Sequence, residues 1–181
     1  MRAFPAVGAP ATWVLSNHDV VRHASRLALT AENPQGHGIG PDSPGQPIPE
    51  VGLRRARAAT LLMLALPGSL YLRQGDEIAL SDSDKPTAPL ELADMVAEHT
   101  QVQSSQFGSP TATVRHAAHV RQEYNLACAP LAFVTGLEWC PPQTLSFLVR
   151  GVLVVVNTSD SPVTLPAEAK VLLSSQQSWK L

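Results

Sequence analysis

The sequence predicts a mixed α/β chain, a strand–helix–strand unit in its first 80 residues followed by a small antiparallel β region at the C-terminal end. Three observations predict it. The apolar run Trp13-Val14-Leu15 ends in Ser16 and passes straight into Asn17, His18 and Asp19, as a buried strand does when it delivers polar groups at its carboxyl end. Ala and Leu dominate Val51 to Leu66, with Leu53, Ala56, Thr60, Met63 and Leu64 at helical spacing, and Pro67-Gly68 stops the run before a second short strand, Leu70-Tyr71-Leu72. After Pro130 the chain breaks into short β segments divided by Gly, Pro, Ser and Asp.

Composition narrows the partners. The 181 residues have room for one domain or one and a half, and 44% hydrophobic against 15% charged residues suffices for a real core. A net charge of −2 with a pI near 6.3 argues against nucleic acid and against anionic membrane, which both need a concentrated basic face. The cluster Arg54, Arg55 and Arg57 reads as the solvated first turn of the helix. Cys128 and Cys140 are too few for a disulfide scaffold and lack zinc spacing. They read as reduced thiols, with a single bridge left open. The N-terminus has one Arg2 and two early prolines, Pro5 and Pro10, without an apolar signal core. The longest apolar stretch, Ala58 to Leu66, is far short of the ~20 residues that span a bilayer. A cytoplasmic location is the expectation.

Taken in order, residues 1–12 are an Ala/Pro-rich lead, 13–16 a strand, 17–19 its polar end, and 20–29 a short helix with Val21, Leu27 and Leu29 as apolar contacts. From Glu32 to Glu50 Gly and Pro forbid regular structure, leaving a rim loop or disorder. The helix 51–66 is apolar on more than one side, as a crossover between parallel strands must be. At Gln74-Gly75-Asp76-Glu77 the glycine permits a tight bend, and the acids can bind an arginine or cap a helix. Residues 81–110 are polar apart from a helix over Leu90–Glu98, and a further helix runs from Thr111 to Ala127. On it His116, His119 and Glu123 share a face, which reads as solvated more readily than as a metal site. Strands are expected at Phe133–Trp139, Thr144–Arg150, Val152–Asn157, Val163–Leu165 and Val171–Leu173, with Arg150-Gly151 as a hairpin turn and 152–156 as the central strand.

The strand-end residues carry the chemistry. Asn17, His18, Asp19 and Arg22 put a donor, an acceptor and a cation into one loop, enough to grip sugar hydroxyls, a phosphate or a carboxylate. The same residues also fit a surface loop in which Asp19 caps the following helix. Val14-Leu15-Ser16-Asn17-His18-Asp19 resembles the seventh-strand block of the α-amylase superfamily, glycoside hydrolase family 13, and Val20-Val21-Arg22-His23 is similar to its α-glucosidase and oligo-1,6-glucosidase branch. Pro67-Gly68-Ser69-Leu70-Tyr71-Leu72-Arg73-Gln74-Gly75-Asp76-Glu77 resembles the eighth-strand signature of that branch, with Asp76 where Glu is common.

The resemblance implies a partial (β/α)8 barrel, its last two strand–helix units, in residues 1–80, a connecting segment with helices in 81–130, and a C-terminal antiparallel β domain in 131–181. A complete barrel needs about 250 residues. It implies that Asp19 stabilises the transition state, that His18, Asn17 and Arg22 bind the sugar, and that the substrate is a maltose-like α-glucoside oligosaccharide hydrolysed with retention, without cofactor or metal. Two features depart from the family. Residues 81–110 carry no resemblance, and no candidate for the nucleophilic Asp or the acid Glu of the fourth and fifth strands precedes residue 13. The expectation is therefore an α-glucosidase fragment inactive by itself. Its open strand edges would call for the missing barrel portion or for self-association. A non-catalytic remnant that binds carbohydrate or a partner, and an unrelated hydrolase or metal protein using His18 and Asp19, stand as alternatives.

Overall fold

The computed structural model describes residues 10–37, 39–84 and 89–176, so most of the expected N-terminal lead lies outside the described residues. Strands β1 (Thr12–Val14) and β2 (Ser69–Tyr71) pair in parallel with Trp13 beside Leu70. Between them come helix α1 (His23–Arg26) and helix α2 (Pro49–Ala65). This is the expected strand–helix–strand unit. Among the described residues the parallel sheet has two strands. Its outward face carries Thr12, Val14, Ser69 and Tyr71, all exposed.

Helix α2 starts on Pro49, whose fixed φ suits the first helical position, with Glu50 placed favourably toward the positive end of the dipole. It ends where Leu66, the residue before Pro67, turns extended. The carbonyls left over at that end are met from another helix. Arg121, on α4 (Pro110–Glu123), donates from Nη1 to Leu64 O (2.7 Å) and Leu66 O (2.6 Å), and from Nη2 to Gly68 O. The expected solvated first turn holds for Arg54 and Arg55, which are exposed. Arg57 departs from it: it is only 8% exposed and faces inward with Ala56 and Thr60, because the helix turns that side toward α4 and the loop after β2. Burial lowers the Arg57 pKa from its ordinary value.

The described residues of the segment 32–48 hold no helix or strand, as its composition demands, but they are knit together by their own turns. Gln46 Nε2 donates to Gly40 O (2.8 Å) and Ser43 O (2.8 Å), and Ser83 Oγ donates to Gln46 Oε1 (2.7 Å). After β2, a 3-10 turn (Asp76–Ile78) leads toward helix α3 (Pro89–Ser104), which outruns the expected Leu90–Glu98. Ile78, Leu80 and Val96 form a small core there. Helix α4 stops at Glu123, short of the expected Ala127, because Asn125 takes a left-handed conformation (φ 49°).

Three strands follow where five were expected: β3 (Leu131–Val134), β4 (Thr144–Val149) and β5 (Val152–Asn157), antiparallel in the order β3-β4-β5. Arg150 (φ 50°) and Gly151 (φ 77°) make the tight hairpin turn between β4 and β5. Residues 163–165 stay outside the sheet, bracketed by Pro162 and Pro166, which cannot donate to a ladder. Residues 171–173 are irregular too. The expected central strand, β5, lies at the edge, and β4 takes the centre. It is β4 that supplies the buried Phe147 and Val149, which pack with Leu126 and Ala129 against Leu62, Leu66 and Tyr124. The antiparallel sheet thus shares its core with α2 and with the 3-10 turn (Leu126–Cys128) after α4. Among the described residues no helix is long and apolar enough to cross a membrane.

Gly52 sits where α2 crosses α1, and a Cβ there would lie 2.5 Å from Ala24 O, a backbone atom that cannot swing aside. Alanine gains about 1 kcal/mol of helix propensity, while overpacking costs about 1–3 kcal/mol. Gly52→Ala is therefore expected to destabilise by up to about 2 kcal/mol, read as a lower urea midpoint at unchanged slope.

Candidate functional site

Where β1 ends, the polar residues divide. Ser16 turns inward, fully buried, and its hydroxyl accepts from His23 N (3.1 Å) and bonds His23 Nδ1 (2.8 Å). Asn17, His18 and Asp19 turn outward. Asn17 Oδ1 accepts from Asp19 N (2.9 Å), an Asx turn that fixes the corner. His18 Nε2 lies 3.3 Å from Asp19 Oδ1, with the two side chains 86% and 74% exposed. Asp19 does not cap the helix that follows, since α1 begins after Arg22 without a side-chain cap.

The end of β2 meets this corner. Arg73 Nη1 donates to Asn17 O (2.6 Å), tying the two strand ends together. Val14, Asn17, His18, Tyr71 and Arg73 line an open depression of ≈ 340 Å³. The His-Asp pair thus stands at the mouth of the two parallel strands, with His18 in the lining and Asp19 joined to it through His18. The segment 32–50 contributes no lining residue, so its expected rim role does not apply to this depression.

Arg22 is not in it. The sequence placed Arg22 with the sugar-gripping residues, but its side chain is 1% exposed, with Nη1 3.5 Å from Asp76 Oδ1. Its backbone N–H donates to Asp82 Oδ2 (2.7 Å). A guanidinium this deep needs nearby carboxylates to offset its lost hydration. Desolvation pulls the Arg22 pKa below its ordinary value and nearby Arg73 pulls the same way, against the opposing pull of Asp76, Asp82 and Glu77. The acids expected to serve structure do so: Asp76 also accepts from Arg73 N (3.1 Å), and Glu77 Oε2 accepts from Gly75 N (2.8 Å). Gly75, at φ 95°, makes the bend.

His23 was not singled out by the sequence. It is buried, with Thr60 Oγ1 3.2 Å from Nε2 and Asp76 Oδ1 3.6 Å from Nδ1. Ser16 and Asp76 both approach the same ring nitrogen, whereas a nucleophilic triad needs them on opposite nitrogens with the serine accessible. The cluster is structural. Nothing in the local sequence separates His23 from His18, since both follow the same strand and only burial distinguishes them.

His116, His119 and Glu123 are exposed on α4. Among the described residues no group of three or more His, Cys, Asp or Glu is placed to hold a metal ion. Cys128 and Cys140 are both free. Among the described residues no carboxylate lines the depression, while retaining glycoside hydrolysis needs two about 5 Å apart. The arrangement can bind and orient a polar ligand.

No protein-family model matches the chain, and the comparison with curated proteins returns no match. Among solved structures the chain is similar to the alpha-glucosyl transfer enzyme XgtA, at 21% identity and a TM-score of 0.49, over 81% of this chain and 31% of that chain. The chain therefore spans under a third of that enzyme's length. The chemistry of the site is read from the chain's own residues.

Removing the nearest buried counter-charge with Asp76→Asn is expected to cost about 3 kcal/mol, because Arg22 would remain buried with only Asp82 and Glu77 to offset its charge. His18→Ala, on an exposed side chain, should stay within about 0.5 kcal/mol. Urea unfolding of the two variants checks the contrast, and equal losses would defeat this division between inside and outside.

Proposed function

We propose that this chain is part of an α-glucosidase-type glycoside hydrolase, holding the sugar-gripping strand end without the two acids that break the bond. The single observation behind the reading is the convergence of the two resembling blocks. The polar turn after β1 and the Arg73 end of β2 meet at one depression, lined by Val14 and Tyr71 together with the polar groups of Asn17, His18 and Arg73. Protein sites for sugars use that combination, apolar surface for the pyranose face and a few placed hydrogen-bonding groups for its hydroxyls.

In this reading His18 and Asn17 hold hydroxyls of a terminal α-linked glucose, and Asp19 helps draw the ring toward the oxocarbenium-like transition state. Arg22 acts from behind, as the buried brace of the strand end. The nucleophile and general acid would come from other barrel strands, which would also cover the exposed side of Val14 and Tyr71 and the free strand edges. By itself the chain binds without cutting.

The purified chain is expected to release no chromophore from 4-nitrophenyl α-glucoside above the blank. It should bind maltose weakly, with a Kd of about 1 mM, and His18→Ala or Asp19→Asn should weaken binding roughly five- to tenfold, the loss of one hydrogen bond to a charged or polar group. Turnover abolished by Asp19→Asn would overturn the non-catalytic part of the reading. Absence of both binding and turnover would overturn the sugar site.

A further inference from the structure

We propose that the depression prefers sugars carrying an anionic group, a carboxylate or a phosphate, and that Arg73 makes the selection. The inference rests on the sugar-binding reading of the same depression and narrows its ligand class. Among the lining residues Val14, Asn17, His18, Tyr71 and Arg73, the guanidinium is the one permanent charge. None of the three ion pairs formed among the described residues includes it. Its Nη1 donates to Asn17 O (2.6 Å), which holds the planar group in place, and the rest of the fork has no hydrogen-bond partner among the described residues.

Asp76, Asp82 and Glu77 act on the buried Arg22, and Asp19 Oδ1 lies 3.3 Å from His18 Nε2, so the attraction for an anion rests on the Arg73 fork itself. A carboxylate or phosphate oxygen pair can take two parallel N–H donors from a held guanidinium, a stronger contact than a neutral hydroxyl makes. Beside it the Tyr71 ring, 56% exposed, and Val14, 46% exposed, offer apolar surface for the sugar ring. Anion and pyranose would thus be recognised by adjoining parts of one surface.

Calorimetric or NMR titration tests this with methyl α-glucoside, methyl α-glucuronide, glucose 6-phosphate and inorganic phosphate. The two anionic sugars should bind roughly tenfold more tightly than methyl α-glucoside at low salt, with the advantage shrinking at about 0.5 M salt. The glucuronide and the phosphate ester tell a carboxylate site from a phosphate site, and an advantage for either supports the proposal. Arg73→Met should bring the three sugars to one affinity, and Arg73→Lys should keep part of the difference, with circular dichroism confirming that both variants fold. Equal affinities for the three sugars in the native chain would overturn the charge selection and leave the sugar reading standing. Inorganic phosphate binding as tightly as glucose 6-phosphate would overturn it from the other side, since the sugar would add nothing. If no sugar binds, both readings fall.

Discussion

The strand ends are held in place by one buried carboxylate. Asp76 faces the Arg22 guanidinium and the His23 ring and accepts the backbone N–H of Arg73, so it touches the polar end of both parallel strands. Each ion taken so deep costs several kcal/mol of lost hydration, which mutual attraction offsets only in a well-defined geometry. That requirement makes the cluster a positional constraint. With Arg22 and Ser16 anchored inside, the intervening Asn17-His18-Asp19 has nowhere to go but outward.

A second constraint sets how closely the strands approach. Gly68 takes φ 105°, and a Cβ there would lie 2.3 Å from Ala11 O. Its missing side chain lets Ser69 N donate to Ala11 O (2.7 Å), next to the β1–β2 pairing. Arg121 then closes the carbonyls at the end of α2, and Trp13 Nε1 donates to Pro67 O (2.6 Å). The helix end, the glycine and the first strand are thereby held together by hydrogen bonds that no sequence-local rule pairs.

The consequence for function is a separation of labour. Arg22 and Asp76 meet in the interior and serve as scaffold, while His18 stays exposed and Asn17 and Arg73 are held by a turn and a backbone contact. Among the described residues the depression is lined by Val14, Asn17, His18, Tyr71 and Arg73, groups that hydrogen-bond and pack.

The strand–helix–strand unit, the polar strand end at Asn17-His18-Asp19 and the Arg150-Gly151 hairpin were legible in the sequence, because helical spacing, proline and glycine stops and turn chemistry are local properties. Which polar residues point in is set by packing between distant segments. Arg22 and Arg57 are buried, His23 is enclosed while His18 is open, and β5 lies at the edge of its sheet. The burial of His23 and Arg22 depends on partners more than 30 residues away, Thr60 and Asp76, and a short window of sequence holds no record of what will pack against it.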